Sequence, residues 1–295
     1  MTHNMVLPWM PPAEIVRVEG RGEFFVRRHR HPNPDAPTVL LLHGWTASAD
    51  LQFFTAYQAL AEHYSFVGID HRGHGRGLRT LDAFTFDAVA DDHVTIARQL
   101  GIEQAVLVGY SMGGPIALTI ARRHPGFVAG VVVQATALEW LESRRDRWQW
   151  RFLPVLGSLL RSRWYPAFLR GGLPRLIPVG HELAPYLAWL ESEIQRGHSR
   201  TITEAGWALS SFDARPWAHS LQVPAASLIT TKDRLVRPRK QRALAAALGA
   251  STRELAADHS APWDRPRQFS SLTLELVSDV VARSALTVPL VNVAT

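Results

Sequence analysis

The chain has 295 residues, room for one or two domains and a large core. Its 46% apolar and 20% charged residues exclude disorder, collagen-like repeats and small disulfide scaffolds, and the absence of cysteine excludes disulfides, thiolate metal sites, iron–sulfur clusters and a cysteine nucleophile. The net charge of +6 is carried by arginines scattered beside 26 acidic residues, with Lys232 and Lys240 as the only lysines, and a nucleic-acid binder would instead gather its charge on one face.

The opening run, MTHNMVLPWMPPAEI, has neither the cationic start nor the apolar stretch of a signal peptide. No segment reaches the roughly 18 uncharged apolar residues of a membrane span. A cytoplasmic protein is expected. Strand-like apolar runs then alternate with helix-length segments. Strands are predicted at 23–30, 38–42, 64–69, 105–108, 128–133, 225–230 and 252–256, and helices at 57–62, 87–100, 112–124, 241–248 and 268–282. Short continuous apolar runs such as TVLLL suit strands buried on both faces. The alternation predicts an α/β fold, a mostly parallel doubly wound sheet with helices on both sides.

Residues 138–219 break the pattern. They hold no convincing strand and seven of the ten tryptophans, at 140, 148, 150, 164, 189, 207 and 217. They read as a helical cap of 138–219 inserted into a core made of 1–137 and 220–295. Inserted there, the segment would cover the carboxyl ends of the strands, where open α/β sheets bind ligands.

Gly109-Tyr110-Ser111-Met112-Gly113 fits G-x-S-x-G, with a strand before it and a helix after it. That context is the nucleophile elbow, a strained turn that raises a serine above the sheet edge and aims a helix N-terminus at it. A serine nucleophile needs a base, and the base needs an orienting acid, in the chain order Ser, acid, His. His259 follows the last strand and Asp233 the one before it, and no other histidine follows Asp233. Glu139 is an alternative acid, and Asp258, adjacent to the base, would point elsewhere. His43-Gly44-Trp45 after TVLLL is placed to form an oxyanion hole from the backbone N–H groups of Trp45 and Met112. Tyr110 and Trp140 are candidates for the substrate pocket.

The histidines of DHRGHGRG, residues 70–77, lack partners at metal-ligand spacing, and its glycines do not lead directly into a helix. The loop is read as structural, with Arg72 paired internally and no metal. The cluster Arg234, Arg237, Arg239, Lys240 and Arg242 is read as a solvated basic face, the alternative being contact with an anionic part of a substrate or an acidic surface.

The run HGW, DHRGHGRG, GYSMGG, Asp233 and DHSAPW resembles the α/β-hydrolase superfamily, most closely its bacterial esterase- and lipase-like members with a helical cap. The likeness spans nearly the whole chain. It implies Ser111 as nucleophile, His259 as general base, Asp233 as its orienter, Trp45 and Met112 as oxyanion donors, and no cofactor. Departures narrow the activity. Epoxide hydrolases and haloalkane dehalogenases of the superfamily place an aspartate where Ser111 stands. Carbon–carbon bond hydrolases usually carry a more glycine-rich segment than His43-Gly44-Trp45-Thr46. Asp258 stands where the family often has glycine, and Gly77 where the loop usually ends in serine. The expected activity is hydrolysis of small apolar acyl or aryl esters. Thioester or lactone hydrolysis, carbon–carbon cleavage and perhydrolysis use the same triad, and a non-catalytic ligand-binding protein is the alternative of another class.

Overall fold

The computed structural model describes residues 6–151, 162 and 165–287, so Trp164 lies outside the described residues. Eight strands form one sheet in the order β1-β2-β4-β3-β5-β6-β7-β8. They are β1 (Ala13–Val18), β2 (Gly22–His29), β3 (Thr38–Leu42), β4 (Ser65–Ile69), β5 (Ala105–Tyr110), β6 (Val128–Gln134), β7 (Ala225–Thr230) and β8 (Ser251–Leu255). β1 and β2 pair antiparallel, and all pairs from β4 through β8 are parallel.

Side chains alternate between the faces of the central strands, as a period of two requires. Val39 and Leu41 of β3 join Val106 and Val108 of β5 in one apolar cluster, with α1 (Ala49–Ala61) and α10 (Pro266–Thr287) packed over it. Leu40, Leu42 and Leu107 point to the other cluster, beneath α2 (Phe86–Gln99), α3 (Gly113–Arg123) and α8 (Pro238–Ala247). Both faces are thus sealed, which explains the near-continuous apolar runs.

Two elements exceed their sequence signals. β1 is an edge strand that exposes Ile15 and buries only Val16 and Val18, a weak pattern. α1 begins eight residues before the expected start at 57, with the Ser48 hydroxyl accepting from the Leu51 N–H as its N-cap. Nine of its residues, Asp50 and Gln52 included, are buried, so it shows no polar stripe by which periodicity would detect it.

Between β6 and β7 the described residues form α4 (Arg144–Trp150), α5 (Tyr165–Leu176), α6 (Leu187–Ile194) and α7 (Ser199–Ser211). An isolated antiparallel bridge between Glu139 and Asp213 joins the two ends of the segment. Lys240 of α8 is buried, not solvated as its basic cluster suggested, because its Nζ lies 3.1 Å from Glu139 Oε2 and 2.9 Å from Asp146 Oδ2. Neighbouring cations of that cluster are matched as well. Arg234 pairs with Asp258, Arg239 with Glu142 and Arg242 with Glu254. No helix of the described residues is long and apolar enough to cross a membrane.

The sheet order places the ligand crevice. From β3 the chain passes to β4 on one side, then returns to β5 on the other. The carboxyl ends of β3 and β5 therefore form a switch point, where loops part and leave a cleft.

Candidate active site

Ser111 follows β5 at this switch point with φ of +53°, a left-handed conformation that costs a non-glycine residue on the order of 1–3 kcal/mol. The turn is possible only because its flanking glycines lack Cβ atoms. A Cβ on Gly109 would stand 2.3 Å from the Gly113 carbonyl oxygen, and one on Gly113 would stand 1.9 Å from the Leu42 carbonyl oxygen. Both obstacles are backbone atoms that cannot swing aside. Gly113→Ala is therefore expected to lower unfolding stability by about 3 kcal/mol or more, read as a drop in urea midpoint. A midpoint unchanged from the parent would contradict this close packing of α3 on β3.

The serine meets two groups from other strand ends. His259, after β8, has its Nε2 2.9 Å from Ser111 Oγ and its Nδ1 2.8 Å from Asp233 Oδ2. Asp233, after β7, is itself fixed on every side. Its Oδ1 accepts from the N–H groups of Leu235 and Val236, and its Oδ2 accepts from the Thr230 hydroxyl and, at 3.3 Å, from Gln241 Nε2. The carboxylate is buried, and these donors together with the ring Nδ1–H satisfy its oxygens and aim it. Glu139 is engaged by Lys240 instead, and Asp258 accepts from the N–H groups of Arg234 and His259.

Trp45 lies in the loop after β3. Among the described residues, the backbone N–H groups of Trp45 and Met112 donate to no protein acceptor. His43 orients the first of them. Its Nδ1–H donates to the Gly44 carbonyl at 2.8 Å, holding the Gly44–Trp45 peptide plane, while its Nε2 accepts from the His71 N–H at 3.0 Å. Asp70 secures the adjacent loop by accepting from the N–H groups of Ala49 and Arg76. Arg72 pairs with Asp92 of α2.

His43, His71, His74 and His93 form a buried group, with the His43 and His71 rings stacked 3.6 Å apart. Burial first, and then neighbouring histidines, hold His43 and His71 well below the usual imidazole range. Burial pushes His74 and His93 down to about 4. Burial pushes Asp70 the other way, up to about 7, against the opposing pull of the Arg76 N–H. The unfolded chain therefore binds more protons on the histidines as pH falls below about 6.5, and the folded chain binds one more on Asp70. Four histidines outweigh one carboxyl. Stability is expected to fall steadily from pH 6.5 to pH 4, and a urea midpoint that stays flat or rises over that window would contradict it. Among the described residues no cluster of histidine and carboxylate side chains is arranged to hold a metal ion.

A cavity of about 430 Å³ opens onto Ser111 and His259. Its walls are mostly apolar and include Tyr110, Trp45, Leu51, Pro262 and Trp263 from the core and Leu176 and Ile194 from the segment between β6 and β7. Tyr110 lines the cavity, its hydroxyl donating to the His259 carbonyl. Trp140 does not. It is buried in the core against Trp150, which in turn packs on Trp45, so it backs the wall from behind. Gln52 also lines the cavity, a place the sequence does not reveal, because a glutamine in an apolar segment carries no signal of its own.

A family model described as alpha/beta hydrolase fold matches residues 37–266. The chain is 31% identical over 114 residues to the AB hydrolase superfamily protein YisY of Bacillus subtilis (strain 168), covering 39% of this chain and 41% of that one. It is 36% identical over 91 residues to the bifunctional esterase/perhydrolase DCH of Acinetobacter calcoaceticus, covering 31% of this chain and 33% of that one. These two alignments span less than half the length of either relative. The crystal structure of the enol-lactonase from Burkholderia xenovorans LB400 superimposes with a TM-score of 0.75 at 23% identity, over 90% of this chain and 100% of that one, a likeness of fold.

Proposed function

The chain belongs to the α/β hydrolase fold family, and from that premise we propose that it is a cofactor-free serine hydrolase that cleaves carboxylic esters of apolar acyl or aryl groups. The observation that carries this reading is the unbroken line of hydrogen bonds from Ser111 through His259 to Asp233, ending at the floor of an apolar cavity.

In this reading His259 Nε2 takes the proton of Ser111 Oγ as that oxygen attacks the ester carbonyl. Asp233 holds the ring with its proton on Nδ1 and stabilises the imidazolium. The negative charge that develops on the carbonyl oxygen is met by the N–H groups of Met112 and Trp45, each worth on the order of 10²–10³ in rate. Collapse of the tetrahedral intermediate breaks the bond to the alcohol oxygen, which leaves with the proton from His259. Water, deprotonated by the same His259, then attacks the acyl-serine, and the carboxylic acid departs as Ser111 regains its proton.

The described residues within 138–219 serve as the cap over the described core within 1–137 and 220–295. What supports this is that Leu176 and Ile194 contribute to the cavity wall. The cavity is matched to small ligands, since apolar walls with a few placed polar groups favour apolar substrates. Esters of p-nitrophenol with two- to eight-carbon acyl chains are expected to be hydrolysed faster than those with twelve or more, measured as kcat/KM across the series. Cleavage of lactones or carbamates with no turnover of any ester in the series would overturn the assignment to esters.

A further inference from the structure

Gln52 sits in the first turn of α1, buried, and lines the cavity together with Ser111. Its orientation is fixed by a backbone donor. The Gly44 N–H points at Gln52 Oε1 at 3.3 Å, and only the oxygen end of a carboxamide can accept from it. The amino end must therefore face away from the loop. Among the described residues Nε2 donates to no acceptor, and it is not sealed from solvent.

The position matters as much as the vacancy of the donor. A Cβ placed on Gly44 would lie 3.0 Å from Gln52 Oε1 and 3.4 Å from Ser111 Cβ, so the carboxamide and the nucleophile flank the same point. The other polar groups on the cavity wall are largely committed. The Trp45 indole donates to Ile202, the Trp263 indole to Leu51, the Tyr110 hydroxyl to His259 and the Ser260 hydroxyl to Asp264. The leaving oxygen of an ester must face His259 to receive its proton. Gln52 instead borders Gly44, next to the N–H groups that in the proposed mechanism hold the carbonyl oxygen of the acyl half.

We propose that Gln52 is a specificity-determining residue whose Nε2–H₂ group recognises an oxygen acceptor in the acyl chain, near the scissile carbonyl. The substrate class is then α-alkoxy, α-aryloxy or α-keto esters, apolar elsewhere. A buried donor that a plain hydrocarbon chain leaves unpaired penalises that chain, which is how a single polar group discriminates between substrates of one shape. The inference rests on the ester-hydrolase reading.

The test compares p-nitrophenyl methoxyacetate with p-nitrophenyl butyrate, which differ by an ether oxygen in place of a methylene. Their intrinsic reactivities differ, so the readout is the ratio of their kcat/KM values in the parent against that in Gln52→Glu and Gln52→Met. Gln52→Glu keeps an oxygen for the Gly44 N–H and loses the donor, whereas Gln52→Met loses both at similar size. The ratio is expected to fall about tenfold in both variants. Folding is checked by thermal melting, and either variant alone suffices if the other does not fold. Active variants with an unchanged ratio overturn the inference and leave the hydrolase reading intact. A folded parent that cleaves neither ester overturns the hydrolase reading and the inference with it.

Discussion

Ser111→Ala is expected to lower kcat/KM for p-nitrophenyl butyrate by about 10⁵–10⁶-fold, leaving the residual rate that an oxyanion hole and binding alone supply. The loss should fall on kcat. In the proposed mechanism the hydroxyl makes the bond to carbon and contributes little to ground-state binding. Stability should change little, because Ser111 Oγ is bonded within the site only to His259 and the substitution keeps the same backbone strain at φ of +53°. A variant that melts like the parent and retains more than about a hundredth of its activity would contradict a covalent role, since an oxyanion hole and binding alone leave far less than that.

Asp233→Asn is expected to cost about 10⁴-fold in kcat, more than its nearly unchanged shape suggests. The two oxygens of Asp233 accept from different partners. Oδ1 takes two backbone N–H groups that cannot change direction, so the amide oxygen of an asparagine must stay there. Its NH₂ group is then forced to the position of Oδ2, facing His259 Nδ1 and the Thr230 hydroxyl. The imidazole can only answer by moving its proton to Nε2. That nitrogen then donates toward Ser111 and cannot accept its proton. Glu139→Gln provides the contrast, because Glu139 faces Lys240 and Asp146 remains to pair with that lysine. Its activity is expected within about threefold of the parent, an effect of ordinary size for a residue outside the reacting groups. The reverse ranking of the two variants, measured on the same ester, would assign the acid to Glu139.

The difference in legibility between these parts of the molecule is physical. The strands β3, β5, β6 and β7 are buried on both faces, so burial alone makes them conspicuous as apolar runs. The elbow is legible because its turn excludes every side chain at Gly109 and Gly113, leaving a pattern that chemistry elsewhere does not require. Asp233 and His259 are legible only jointly, through their order and their places after consecutive strands.

What escaped depends on partners far apart in sequence. His43, His71, His74 and His93 look like unrelated polar residues until the fold gathers them behind the loop that follows β3, where burial keeps them neutral. α1 is hidden because the sheet, α10 and α6 cover it from several sides. Trp140 has the aromatic character of a pocket residue, yet aromatic rings serve equally as wall backing, and its contact with Trp150 places it behind the cavity wall. Lys240 shows the same ambiguity for charge. In a run of cations it looks solvated, and only the fold brings Glu139 and Asp146 to it.

The central claim is that Ser111 is an activated nucleophile within an assembled oxyanion hole, and labelling with a fluorophosphonate probe tests it without any assumption about substrate. Phosphonylation requires both an activated serine and donors that stabilise the charged oxygen. Parent protein and Ser111→Ala are treated in parallel and mapped by peptide mass. The account predicts a single modified residue, Ser111, and no label in the variant. A folded parent that remains unlabelled, or that carries the label on another serine, would contradict it.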